Sequence, residues 1–190
     1  MNATGKKQAH LKVVGDEPIG DRSTPDDDFV PDLEYLFHRY SAYVAFIAHR
    51  LIGVPSDVDD VVQDVFLDVE RGLSKLRDTS TVKSWLATIT VRRSRRHLKK
   101  RRIRKFIGLD RSPSYENIAD SSASPEHRAM IASIYKILDD FPVDERIAWT
   151  LKYVHEEKVS EVARLCGCSR ATAHRRIASV QSVIRETMNE

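Results

Sequence analysis

Val159 to Ile177 reads VSEVARLCGCSRATAHRRI, and its order of residue types predicts two short helices about a tight turn. Counted from Val159 as position one, Ala163 stands at five and Gly167 at nine, with Val162, Cys166, Cys168 and Ala173 at inward positions. A small side chain at Ala163 lets the helices cross closely, and Gly167 permits the left-handed turn backbone that a Cβ penalises. Ser169 offers an N-cap oxygen to the second helix, whose start carries Arg170, Thr172, His174, Arg175 and Arg176. A DNA major groove admits such a helix: side chains near its N-terminal end meet base edges while basic neighbours neutralise phosphates. The pattern therefore predicts a DNA-binding helix-turn-helix, against the plainer reading of a helical hairpin with a polar face.

Cys166 and Cys168 are the only cysteines, and one close pair builds neither a disulfide framework nor a four-ligand zinc site. Adding His174 bunches three ligands in a way that fits no usual zinc spacing. The thiols are read as reduced fillers of small core slots, and no metal or cofactor is expected.

Upstream, Ser124 as N-cap, Pro125 at the first helical position and Glu126 behind it form a strong helix start. Met130, Ile131, Ile134, Ile137 and Leu138 line that helix, which stops by Pro142; Ile147, Ala148, Leu151 and Val154 line the next. Before them, residues 107–124 are rich in Ser, Pro, Gly and Asp, which predicts a flexible linker. Fully extended, such a tether reaches roughly 60 Å.

The N-terminal half holds a second helical unit. Leu33, Phe37, Tyr40, Val44, Ile47 and Leu51 recur at helical spacing until Gly53 and Pro55. A helix with Ser56 as N-cap follows, with Val58, Val61, Val62, Val65, Phe66, Val69, Leu73 and Leu76 inward and Asp57, Asp60, Gln63, Asp64 and Asp68 on or near the solvent side. After a short loop from Arg77 to Thr81, a third helix places Val82, Trp85, Leu86 and Ile89 inward and runs into a basic stretch. Residues 1–28 are polar, carry several Gly and Pro, and read as a disordered tail. The expected fold is all-α: two small helical domains, 29–106 and 125–190, joined by the flexible linker.

Composition excludes several classes. The 190 residues are 41% hydrophobic and 31% charged, ordinary for a soluble chain, with no apolar run near the roughly 20 residues that span a bilayer. The polar N-terminus lacks the apolar core of a signal peptide, so no membrane insertion is expected and a bacterial cytoplasmic location fits best. The net charge of +3 hides a segregation of sign: eight acids lie between Asp16 and Glu34, six between Asp57 and Glu70, and ten of the fourteen residues from Arg92 to Lys105 are Lys or Arg. One stretch suits a polyanion and another a basic protein surface. No phosphate-gripping Gly-rich loop occurs, and although Asp57, Asp60 and Asp64 read as one helical face, a metal site on one face of one helix is improbable. No catalytic residue and no small-molecule substrate are predicted.

The stretch DVDDVVQDVFLDVERGLSKL, Asp57 to Leu76, followed by Ser84, Trp85 and Leu86, resembles the second conserved region of sigma factors of bacterial RNA polymerase. FPVDERIAWTLKYV and EVARLCGCSRATAHRRI resemble the fourth region, with the third missing, as in the extracytoplasmic-function (ECF) class of the sigma-70 family. The resemblance covers about 160 residues from Phe29 onward. It implies an alternative sigma factor that binds core RNA polymerase and promoter DNA, directs promoter recognition, melting and transcription initiation, and is a candidate for control by an anti-sigma factor. By that resemblance Asp57, Asp60, Gln63 and Asp64 dock on the polymerase. Arg77, Lys83, Trp85, Arg92, Arg93, Arg95 and Arg96 handle the minus 10 element. Ser169, Arg170, Thr172, His174, Arg175 and Arg176 form the minus 35 recognition helix. Glu70, Val82, Ala87 and Arg92 depart from the family pattern; fewer aromatics and more arginines predict weaker base stacking offset by phosphate attraction, and hence salt-sensitive promoter opening. The competing reading is a stand-alone helix-turn-helix transcriptional regulator, which accounts for half the chain.

Overall fold

The computed structural model describes residues 31–76, 78–109, 114–115, 118 and 122–188. These residues form seven α-helices: α1 (Leu33–Ile52), α2 (Val58–Gly72), α3 (Val82–Phe106), α4 (Pro125–Leu138), α5 (Val143–Tyr153), α6 (Val159–Cys166) and α7 (Arg170–Thr187). No strand occurs among them.

Local chemistry accounts for most boundaries. Asp32 caps α1 by accepting from the Tyr35 amide at 2.7 Å, and Gly53, at φ 78°, ends it in the left-handed region. Ser124 caps α4 ahead of Pro125, as expected. Ser56 does not cap α2. A 3-10 turn, Pro55–Asp57, precedes that helix, and the Ser56 hydroxyl turns to the Asp57 carboxylate instead. The segment between α2 and α3 is tighter than a plain loop, holding 3-10 turns at Leu73–Lys75 and Thr79–Thr81, the latter capped by the Asp78 carboxylate.

Helices α1, α2 and α3 pack around Leu36, Val44, Ile52, Val65, Val69 and Leu86. Two expected placements change. Phe37 is 46% exposed, its ring edge-on to Phe66 at 4.9 Å, while Leu36 takes the core position one residue earlier. Asp68 is not a solvent residue, because α3 brings Arg93 against it. In the second unit α4, α5 and α7 enclose Ile131, Tyr135, Trp149, Val180 and Ile184, joined by Tyr115 and Ile118 from the connecting segment, both fully buried.

The two units also share a core. Ile47 and Leu51 of α1 and Ala87, Val91 and Leu98 of α3 meet Val143, Ile147 and Leu151 of α5 and Val162 of α6. Fully burying an aliphatic side chain contributes about 1.5–3 kcal/mol, so this seam is a substantial contact. Residues some 95 positions apart are thereby brought within hydrogen-bond reach.

Candidate nucleic-acid and polymerase interfaces

The helix-turn-helix is built as its residue types require. Gly167 adopts φ 63°, and the Cys168 amide bonds the Ala163 carbonyl at 2.9 Å, closing the turn. Ala163, Cys166 and Ala173 are buried, and both thiols are free. Burial pushes the Cys166 thiol up to about 11, so it stays protonated at neutral pH. Ser169 caps α7 through the Thr172 amide at 3.1 Å, and its hydroxyl also meets the Thr172 hydroxyl at 2.9 Å. Arg170, His174 and Arg175 are exposed at the start of α7, whereas Arg176 is half-buried, 3.9 Å from Asp144. The far half of α7 is held by the core and by Trp149 donating to Gln181 at 2.8 Å and Ser179 donating to Glu145 at 2.8 Å. Anchoring one half presents the other as a rigid face.

On α2, Asp60 and Gln63 are exposed and Asp64 is half-exposed, and their spacing sets them on one face. Asp57 does not share it. Its carboxylate turns to α3, 2.9 Å from His97 and 3.7 Å from Arg101. The acidic face therefore consists of Asp60, Gln63 and Asp64, with Asp59 exposed beside them.

The arginines of α3 divide into two sets. Arg92 and Arg96 face solvent, with Arg92 keeping one contact to Asp68 at 2.9 Å. Arg93 is held between Asp68 and Asp64, and Arg95 meets Asp144 at 2.9 Å and the Cys166 carbonyl at 3.0 Å. Trp85 is half-buried over Gly72, where a Cβ would lie 2.9 Å from the indole, and Lys83 is exposed above the Tyr43 ring. Arg77 lies outside the described residues.

A second set of charged residues, which join the elements, escapes sequence reading. Asp144 gathers Arg95, Lys99 and Arg176, so the basic helix α3 and the second helix of the helix-turn-helix, α7, share one acid. Arg146, 2% exposed, crosses from α5 to the end of α1. Its only sequence signal is an arginine directly before the inward Ile147 and Ala148, and such a pattern names no partner.

The family model described as Sigma-70 region 2 matches residues 36–103, which take in most of α1, all of α2 and most of α3. The chain is 28% identical over 156 residues to the ECF RNA polymerase sigma-E factor of Escherichia coli K12, covering 77% of this chain and 81% of that protein. Residues 36–103 are thus similar to region 2 of the sigma-70 family. The chain is also 26% identical over 134 residues to the probable RNA polymerase sigma factor RfaY of Xanthomonas campestris, where the match takes 68% of this chain but only 34% of the relative's length. The fold is similar to RpoE of Bartonella quintana, solved with the anti-sigma factor NepR, at TM-score 0.63 and 19% identity over 83% of this chain and 97% of that one. It is also similar to CnrH, solved with the cytosolic domain of CnrY, at TM-score 0.53 and 22% identity, covering 83% and 87%. No helix among the described residues is long and apolar enough to cross a membrane.

Proposed function

We propose that this chain is an ECF-class alternative sigma factor that binds core RNA polymerase and directs promoter recognition, DNA melting and transcription initiation in the bacterial cytoplasm, with no catalytic step of its own. The observation that carries the reading is the pairing, in one chain, of a sigma-70 region 2 unit bearing an exposed acidic face with a helix-turn-helix bearing an exposed basic one. Asp60, Gln63 and Asp64 meet a basic surface of the polymerase. Lys83, Trp85, Arg92 and Arg96 serve the minus 10 element, joined by Arg93 and Arg95 where their acids release them. Arg170, His174, Arg175 and Arg176 serve the minus 35 element, on a helix oriented by Ser169 and Thr172. The working division is residues 29–106 for polymerase and minus 10 contact and 125–190 for minus 35 contact, joined through 107–124. By analogy with the solved complex of RpoE with NepR, an anti-sigma factor is a natural third partner.

The test is direct. Purified chain mixed with core polymerase in the absence of DNA should form a complex that initiates from specific promoters. A chain that binds promoter DNA alone and ignores core polymerase is the stand-alone regulator instead.

A further inference from the structure

The last carbonyls of a helix have no partner within it. At the end of α1 those of Arg50, Leu51 and Ile52 are satisfied from the other half of the chain. Tyr135 on α4 donates its hydroxyl to the Arg50 carbonyl at 2.5 Å, and Arg146 on α5 donates to Leu51 at 3.3 Å and Ile52 at 2.7 Å. The exchange is mutual, since Arg50 on α1 donates back to the Val154 carbonyl at the end of α5, at 2.8 Å. Each arginine thus places its cation at the negative end of the other unit's helix, where the dipole favours it.

Tyr115, from the segment joining the units, ties this exchange together. Its hydroxyl donates to Asp139 at 2.6 Å and accepts from Arg101 of α3 at 3.0 Å and from Arg146 at 3.3 Å, while Asp139 also pairs with Arg146. Gly53 leaves room for it: a Cβ there would stand 2.7 Å from the Tyr135 ring and 2.8 Å from the Tyr115 ring.

We propose that the reciprocal caps of Arg50 and Arg146, keyed by Tyr115, form a latch that holds the free protein closed and must release before core polymerase can seat the two units on separate promoter elements. The gating half of this proposal rests on the sigma-factor reading above; the closed state does not. Closure also joins the two cationic faces through Asp144, so neither can follow its own stretch of DNA while the latch holds. The caps suit a releasable contact, because on separation both helix ends and both arginines pass to water, which satisfies them again. An apparent affinity is reduced by the fraction of molecules in the competent form, so weakening the latch raises it.

The experiment uses the full chain with Arg146→Gln, Arg50→Gln and Tyr115→Phe, the last removing only a hydroxyl. Small-angle scattering reads compactness, circular dichroism reads helix content, and titration with core polymerase reads affinity. The expected result is a larger radius of gyration at unchanged helix content, with affinity for core polymerase raised roughly tenfold. Unchanged compactness in helical variants overturns the latch. Looser variants with unchanged affinity overturn the gating. Should Arg146→Gln lose helix content, Arg50→Gln and Tyr115→Phe decide the same question. A wild-type chain that never binds core polymerase would sink the functional reading instead, and scattering alone would still decide whether the caps hold the units together.

Discussion

Arg93 on α3 grips Asp68 on α2 with two prongs, Nε standing 2.7 Å from Oδ2 while Nη2 meets Oδ1. Both side chains are largely enclosed, at 12% and 14% exposure, so the pair joins two helices of the first unit from within. Removing Arg93 leaves the enclosed Asp68 carboxylate with only the exposed Arg92 and Arg71. Arg93→Ala should therefore cost about 3 kcal/mol of stability, read as a lower urea midpoint at unchanged slope. Arg92, 63% exposed on the same carboxylate, should cost under about 1 kcal/mol. On DNA the order reverses: Arg92→Ala should reduce the salt slope of binding by about one, and a folding defect from Arg92→Ala as large as that from Arg93→Ala would contradict the division.

Charge reversal on α2 tests the polymerase face. Asp60→Arg with Asp64→Arg should abolish core binding while leaving helix content intact, because the proposed function has this face meet a basic surface. Asp64 lies 3.4 Å from Arg93, so Asp60→Arg alone serves as the control free of that contact. Unchanged affinity in both variants would return these acids to an ordinary solvated face.

On α7, Arg175 is fully outward while Arg176 is partly neutralised by Asp144. Arg175→Ala should cost about 1–3 kcal/mol of promoter binding and relax preference at one or two positions of the minus 35 element. Arg176→Ala should weaken all sequences alike. A promoter library in which Arg175→Ala weakens every member equally would overturn the assignment.

His155 predicts an acid-sensitive fold. Its ring stands edge-on to Phe46 and its Nε2 is enclosed without a hydrogen-bond partner. Burial, with the nearby Arg50 cation, pulls it down to about 3 from 6.5, against a backbone hydrogen bond with Ile47. Between those values the unfolded chain takes up a proton that the folded chain refuses, so stability falls as pH drops from about 6.5 towards 3, by up to about 1.4 kcal/mol per unit. His49, also lowered by burial, adds in the same direction. Asp68 enters only below the ordinary carboxylate value of 3.8, where protonation removes its pair with Arg93. Denaturation at pH 4.5 to 7 should show this slope, and His155→Phe should flatten it; an unaltered slope would exonerate His155.

Residues whose partners lie within a turn or two were legible from the sequence. Ser169, Gly167, Ser124 and Pro125 act on their own neighbours, and the valines of α2 follow a period that any core would impose. Errors fell where two local options competed, as at Ser56, displaced by a 3-10 turn, and at Phe37, where Leu36 took the core position. Asp57 and Asp68 left the solvent side for the same reason as each other: α3 supplies cations that no reading of α2 could locate.

By itself, then, the sequence determined the helices, their caps, the turn of the helix-turn-helix and the segregation of charge, because propensity, periodicity and capping act over a few residues. Tertiary structure alone decided which arginines of α3 stay in solvent and which are paired. It also decided that Arg146 and Arg50 cap each other's helices across 94 to 104 residues of chain. A charged side chain carries no mark of its partner in the one-dimensional order; its partner is set by which faces the shared core brings together.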